Sequence, residues 1–232
     1  MRFETDAFII HTRPYKETSL IVSFFTKEYG NVSAIAKGAK GKKSKFSGNL
    51  EPFRLMNIGF GGKSNLKSLF FSDSLETYDD FKVKKNLYSA FYINELIYSL
   101  LPPNERELII FNQYHSSIKK LKKNDNTEEI LREFEYLFLK EIGYQIDFEN
   151  EYSSGDAIES NSFYEFAPQS GFKRAEKGFL GKDLQEIARK EYNPINLKTF
   201  KAINRKSFEY YFEELNICLL YTSDAADDEP SV

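Results

Sequence analysis

The residues of this sequence best suited to chemistry are lysines, and their spacing favours phosphate binding over catalysis. The segment Lys37–Lys45 carries five lysines in nine residues, with Gly38 and Gly41 between them. From Lys37 to Lys67, eight basic residues accompany one acid, Glu51, which gives this stretch a charge of +7 in a chain whose formal net charge is -3. A flexible cationic loop of this kind can follow a nucleic-acid backbone and release its counterions. A solvated loop that only aids solubility is the alternative, and charge density alone does not separate the two.

The candidate nucleic-acid contacts are the basic residues of this stretch, together with one arginine nearer the N-terminus. That arginine follows His11 at the end of a predicted strand, where either side chain could meet a phosphate. The full set is Arg13, Lys37, Lys40, Lys42, Lys43, Lys45, Arg54, Lys63 and Lys67.

One segment of the sequence suggests the phosphate-binding loop of nucleotide hydrolases, but it does not fit the pattern of that loop. Gly59–Ser64 resembles that pattern, but the position five residues before its second glycine is Asn57, where the pattern needs glycine. The residues after Ser64 are also typical of a strand, whereas the pattern requires a helix there. A hairpin turn is the better interpretation.

Metal binding and side-chain catalysis are also not indicated. The two histidines, His11 and His115, are too few for a metal cluster, and the single cysteine, Cys218, excludes both a thiolate zinc cage and an intrachain disulfide. Carboxylate pairs such as Glu128–Glu129 occupy solvated helix ends, and no serine has the surroundings of a nucleophile. We therefore expect no catalytic residues, no bound metal and no cofactor.

The chain lacks the features of a membrane or exported protein. No run approaches the ~20 apolar residues of a membrane span. The first ten residues include Glu4 and Asp6 and have no long apolar core of the signal-peptide type. We expect a cytoplasmic protein, associated with the nucleoid if it binds DNA.

The first 80 residues favour a small β-barrel. Short apolar or alternating runs rich in β-branched residues predict five strands without an intervening helix. The glycine-rich segment Gly61–Asn65 predicts a hairpin between the last two. This pattern suits a closed OB-fold barrel. The five runs are Ala7–Ile10, Leu20–Val22, Val32–Ala36, Phe53–Phe60 and Leu66–Phe71.

Residues 81–217 have a helical period and complete an α+β fold. A third helix is expected to begin near Asp125, which with Glu128 has capping-box spacing, and to end at Gly143. An insertion over about 147–175 is expected to be loop with a short strand near Phe163–Phe166. The other predicted helices cover Asn86–Leu101, Glu105–Lys122, Lys182–Glu191 and Leu197–Leu215.

The last residues, 218–232, differ from the rest of the chain. They hold four acids and no base, and without them the formal net charge would be +1. Their sequence resembles translated adapter sequence, so we expect a non-native tail. A genuine acidic tail is the alternative.

Several motifs in order resemble the bacterial RecO family of recombination mediators. His11–Leu20 is similar to the opening strand–turn–strand of the family, and Val32–Lys40 with Leu50–Phe53 is similar to the next strand and its basic loop. Tyr92–Leu96 resembles the first long helix, and Arg132–Glu135 with Ile142–Tyr144 resembles the third. The resemblance extends from about Phe3 to about Leu215.

The resemblance implies a function and partners. It implies an OB-fold on a helical domain that binds single- and double-stranded DNA, anneals complementary strands, and with RecR loads RecA onto DNA coated by the single-strand-binding protein SSB. The cysteine-free insertion places the chain in the branch without zinc. A general OB-fold adaptor that binds protein or RNA without annealing remains open. The SSB-tail groove that the resemblance implies comprises Arg132, Tyr136 and Ile142, with Lys119 and Lys122 added as cations for the acidic residues of the tail.

Overall fold

The computed structural model describes residues 2–46, 48–78, 81–123 and 125–212. Within this part the chain divides into two compact units, one ending at Thr127 and the other beginning at Glu128. The segment 218–232, expected to be a non-native tail, lies outside the described residues.

The first unit contains a closed five-stranded barrel. The strand order is β1-β2-β3-β5-β4, with β1 antiparallel to β4 and β3 parallel to β5, which closes the sheet. This topology confirms the predicted OB-fold and, with the helices that follow, the α+β class. The strands are β1 (Arg2–Tyr15), β2 (Ser19–Thr26), β3 (Gly30–Ala36), β4 (Arg54–Gly61) and β5 (Lys67–Thr77).

The barrel strands follow the sequence alternation that predicted them. In β3 every second residue is buried, which matches the period of a strand with one face in the core. The hairpin predicted over Gly61–Asn65 joins β4 and β5, which pair antiparallel. The inward side chains, among them Val22, Phe24, Ile58 and Phe60, form the hydrophobic core.

Among its described residues, the first unit also contains two helices, α1 (Lys84–Leu100) and α2 (Leu108–Lys123). The amide of Asn94 on α1 donates to the Ile10 carbonyl of β1 at 2.9 Å and accepts from the Tyr114 hydroxyl of α2 at 2.7 Å. This buried amide therefore ties both helices to the barrel. The second helix begins three residues after the predicted Glu105.

The second unit combines three helices with a small sheet. The Gly143 and Tyr144 amides donate to the Lys140 and Leu139 carbonyls, which ends the first of these helices in the glycine motif that Gly143 predicted. That helix begins at Thr127, two residues after the predicted Asp125. The elements are α3 (Thr127–Glu141), β6 (Phe163–Ala167), β7 (Gly171–Ala175), β8 (Phe179–Leu180), α4 (Gly181–Ala188) and α5 (Pro194–Tyr211).

The insertion expected to hold one short strand holds two, β6 and β7, which form with β8 a three-stranded sheet of order β7-β6-β8. Phe172 of β7 is fully buried, with ring centroids 4.9 Å from Phe166 and 5.5 Å from Phe148. Phe148 in turn contacts Phe200 of α5 at 5.4 Å. Aromatic packing therefore holds this sheet to the helices.

Candidate nucleic-acid interface

The lysine-rich segment between β3 and β4 is anchored to the barrel. Ala39, Phe46 and Leu50 are buried in the barrel core, and the Lys40 amide donates to the Thr18 carbonyl of the β1–β2 turn at 3.0 Å. The expectation of a flexible loop is therefore corrected. Three apolar side chains in the segment hold it against the end of the barrel. The lysine pattern, on which the sequence prediction rested, did not indicate this role.

The loop lysines project from this fixed backbone. Lys37, Lys42 and Lys43 are exposed, as is Lys63 in the β4–β5 turn. The Lys40 ammonium is also exposed but donates to the Lys16 carbonyl at 3.0 Å. A rigid array of solvated cations suits phosphates better than a loop that must be ordered on binding, because less conformational entropy is lost.

Besides Lys40, three further candidate cations contact the protein: Lys45, Lys67 and Arg54. The Lys45 ammonium donates to the Phe70 carbonyl and lies 5.0 Å from the centre of the Phe46 ring. The partly buried Lys67 ammonium donates to the Gly62 carbonyl at 3.4 Å. Arg54 forms an ion pair with Glu51.

Arg54 contributes less positive charge to the surface than the sequence suggested. Its Nη2 lies 2.8 Å from Glu51 Oε2, and its Nη1 donates to the Gly48 carbonyl. Glu51, the one acid of the basic stretch, thus neutralises one of the eight cations locally. The Arg54 side chain is also largely buried. Of the candidate nucleic-acid contacts, Arg54 is therefore the one whose geometry least favours binding a phosphate.

The residues assigned to an SSB-tail groove lie in different units. Arg132, Tyr136 and Ile142 belong to the second unit, whereas Lys119 and Lys122 belong to the first. The Arg132 side chain is only 4% exposed and its Nη2 lies 2.8 Å from Glu135 Oε1. A carboxylate ligand would therefore have to displace Glu135 to reach the guanidinium.

Tyr136 lines a cavity of about 210 Å³ whose wall includes Asp147, Glu149 and Lys190. Burial raises the pKa of the Tyr136 hydroxyl, and the nearby carboxylates of Asp147 and Glu149 raise it further. The carboxylates of Asp147 and Glu149 would repel the acidic residues of a peptide in this cavity, whereas Lys190 would attract them. The use of Tyr136 by an SSB tail stays a prediction.

Lys122 adjoins the barrel. Its ammonium donates to the Thr77 carbonyl at 3.1 Å and lies 5.9 Å from the centre of the Tyr78 ring. Thr77 is the strand partner of Arg54. Lys122 thus continues the basic surface of the barrel, and the exposed Lys119 lies one turn earlier on the same helix.

Sequence reasoning missed a groove on the outer face of β1, β2 and β3. Its walls include Arg13, Asn31 and Tyr98 and its volume is about 490 Å³. Arg13 was singled out by the sequence, but Asn31 and Tyr98 were not. They come from separate parts of the chain and no local pattern joins them.

Neither a metal site nor a membrane helix is found in the described part of the chain. No group of three or more His, Cys, Asp or Glu residues there is arranged to hold a metal ion. No helix there is both long and apolar enough to span a bilayer.

By architecture the chain is an OB-fold barrel with attached helices, a fold often used to bind oligonucleotides. Residues 1–78 match the family model for the N-terminal part of recombination protein O, and residues 84–217 match the model for its C-terminal part. The chain is 32% identical over 209 residues to the DNA repair protein RecO of Vibrio atlanticus, covering 88% of this chain and 86% of that protein. It is 34% identical over 208 residues to the DNA repair protein RecO of Tolumonas auensis, covering 87% of each. The chain belongs to the RecO family of DNA repair proteins.

Proposed function

We propose that this chain binds single- and double-stranded DNA, anneals complementary strands, and helps RecR load RecA onto SSB-coated DNA. The observation that carries the proposal is the array of exposed lysines on the anchored loop between β3 and β4, at the end of a closed OB barrel. Membership of the RecO family supports DNA as the ligand.

The physical basis of annealing is charge neutralisation. Two complementary strands repel each other through their phosphates, and a cationic surface that contacts both lowers this repulsion. Lys42 and Lys43 are exposed, and neither forms a hydrogen bond or ion pair within the described residues. Their charges are therefore available to phosphates without loss of an internal contact. Such a mechanism is equilibrium binding and needs no catalytic residue.

The proposed partners are the SSB C-terminal peptide, RecR and, indirectly, RecA. For the peptide we keep Arg132, Tyr136 and Ile142 as the proposed contacts, with Lys119 and Lys122 as attracting cations. A guanidinium can bind a terminal carboxylate through two parallel hydrogen bonds. Because Arg132 is buried and paired with Glu135, this contact requires a rearrangement of the pair.

The test is annealing of complementary oligonucleotides coated with SSB, followed by fluorescence energy transfer between labels on the two strands. The chain should accelerate annealing, and Lys42→Ala with Lys43→Ala should reduce this acceleration. Lys173→Ala with Lys177→Ala removes the same charge from exposed positions of the second unit and should leave the rate unchanged. Binding to DNA without any acceleration would favour the adaptor hypothesis.

A further inference from the structure

The groove on the outer face of the barrel, here called the face groove, has the composition of a nucleotide site. It is bounded by β1 to β3, by the β4–β5 turn at Asn65, and by the end of α1 at Tyr98. Among the described residues that line it, Arg13 is the one charged side chain and there is no carboxylate. Its volume of about 490 Å³ is ample for one nucleotide.

Two small polar side chains line the face groove beside apolar residues such as Ile21 and Val32. Ser23 of β2 and Ser33 of β3 are strand partners, and their hydroxyl oxygens lie 3.5 Å apart. Hydroxyls both donate and accept hydrogen bonds, so they suit the mixed edges of any base.

An aromatic platform stands at the rim. Tyr98 is 49% exposed, and its ring centroid lies 5.2 Å from that of His11. Every base has a π-face, so an exposed ring beside a cation is the usual platform for single-stranded nucleic acid. Arg13 is exposed two residues after His11 on β1, and it forms no ion pair or hydrogen bond within the described residues. Its guanidinium is therefore available to a phosphate.

The walls are held in place before any ligand binds. The Asn31 side-chain amide of β3 donates to the carbonyls of Ile97 at 2.8 Å and Leu101 at 3.3 Å, which fixes the last turn of α1. Gly30, with a φ of +60°, allows the Glu105 backbone to approach so closely that a Cβ would lie 1.8 Å from the Glu105 carbonyl oxygen. A fixed site loses little entropy on binding.

We propose that the face groove binds one nucleotide of single-stranded DNA, with the base stacked on Tyr98 and the phosphate paired with Arg13. This site rests on the proposed DNA binding and adds a contact to the base itself, whereas the lysines contact only phosphates. A base with no partner strand is required, because a paired base is stacked within its duplex. The site therefore favours single strands over duplex, whereas the lysine loop contacts phosphates of both.

The test compares two fluorescent 20-mers with equal backbone charge, one of deoxythymidine and one of abasic nucleotides, by anisotropy on the full chain. The unsubstituted protein should bind the deoxythymidine strand more tightly. One stacked base changes affinity about fivefold or more, so Tyr98→Leu should lower this preference about fivefold or more. Tyr98→Phe should restore it. Affinity for the abasic strand should be the same for all three proteins.

Tyr88→Leu is the matched control, because Tyr88 is an exposed tyrosine on the same helix that does not line the groove. It should keep the full preference. Equal preference in the Tyr98→Leu and Tyr88→Leu proteins would overturn the nucleotide site while leaving phosphate binding intact. Equal affinity of the unsubstituted protein for the two strands would do the same. Failure to bind either strand would contradict the proposed function itself.

Discussion

Arg132 and Glu135 form an ion pair within the second unit, with Arg132 Nη2 2.8 Å from Glu135 Oε1 and both side chains 4% exposed. Asn204 of α5 donates to the other carboxylate oxygen at 3.1 Å and to the Arg132 carbonyl at 3.2 Å. The two residues lie on one turn of α3, but the pair is also bound by α5, a helix far from α3 in the sequence. Two charges removed from water in this way depend strongly on each other.

Removal of Arg132 alone should destabilise the protein. We expect Arg132→Met to lower the free energy of unfolding by about 3–5 kcal/mol, because the buried Glu135 carboxylate then loses the opposite charge of Arg132. The double variant Arg132→Met with Glu135→Leu removes both charges and should lose less than the single variant. Urea unfolding followed by circular dichroism measures both. A single variant as stable as the unsubstituted protein would show that solvent reaches the pair.

The proposed peptide contact predicts opposite effects at the two members of this pair. Glu135→Gln keeps hydrogen-bonding oxygen but removes the competing charge, so it should strengthen binding of an SSB C-terminal peptide several-fold. Arg132→Lys loses the two parallel hydrogen bonds and should weaken it. Anisotropy of a labelled peptide, below the unfolding temperature of each variant, gives both affinities. Equal affinities in all three proteins would exclude Arg132 as a peptide contact, and naked-DNA binding should not change.

What the sequence could predict here was local. Helical spacing allows Arg132 to pair with Glu128 or Glu135, and the structure shows the pair with Glu135. Spacing cannot reveal that Asn204, far along the chain, hydrogen-bonds to both residues. The barrel was predictable because alternation along β3 records the core face directly. The face groove was not, because Asn31 and Tyr98 meet only through the fold. The strand β7 was missed because only one of its residues, Phe172, is buried, so its sequence does not alternate, and β8 was missed because it has only two residues.

Aromatic packing predicts how the small sheet of the second unit is stabilised. Phe172→Ala should cost about 3–5 kcal/mol, because a fully buried ring is lost next to Phe148 and Phe166. Phe163→Ala on β6, where the ring is 42% exposed, should cost much less. Calorimetric melting of both variants tests this.

Metal removal should leave the protein unchanged. The chain lacks the cysteines of a zinc module, and the aromatic contacts supply the packing, so EDTA should not shift the melting temperature. Elemental analysis should find no stoichiometric zinc. A melting temperature that falls with EDTA would contradict the prediction.

His115 predicts part of the pH dependence of stability. Burial lowers the pKa of its imidazole and the Lys119 ammonium lowers it further, while Glu76 opposes both. The folded state therefore binds the proton less well than the unfolded state. The contribution of His115 to the free energy of unfolding is therefore fully present above the ordinary histidine pKa of about 6.5, and it is lost as the pH falls below that value. His115→Gln should show a smaller drop in urea midpoint between pH 7 and pH 5. Equal drops in both proteins would contradict this.

The loop lysines predict how DNA affinity depends on salt. Each phosphate contact contributes ~0.7 to the slope of log affinity against log salt on single strands, so Lys42→Ala with Lys43→Ala should lower the slope by up to ~1.4. Lys40→Ala with Lys45→Ala should lower it as well, but should also reduce stability, because these ammonium groups donate to the Lys16 and Phe70 carbonyls. Binding titrations over a salt series measure the slope for each double variant, and urea unfolding in parallel shows which of them also loses stability. If the slope is unchanged in both variants, the DNA site lies elsewhere on the protein.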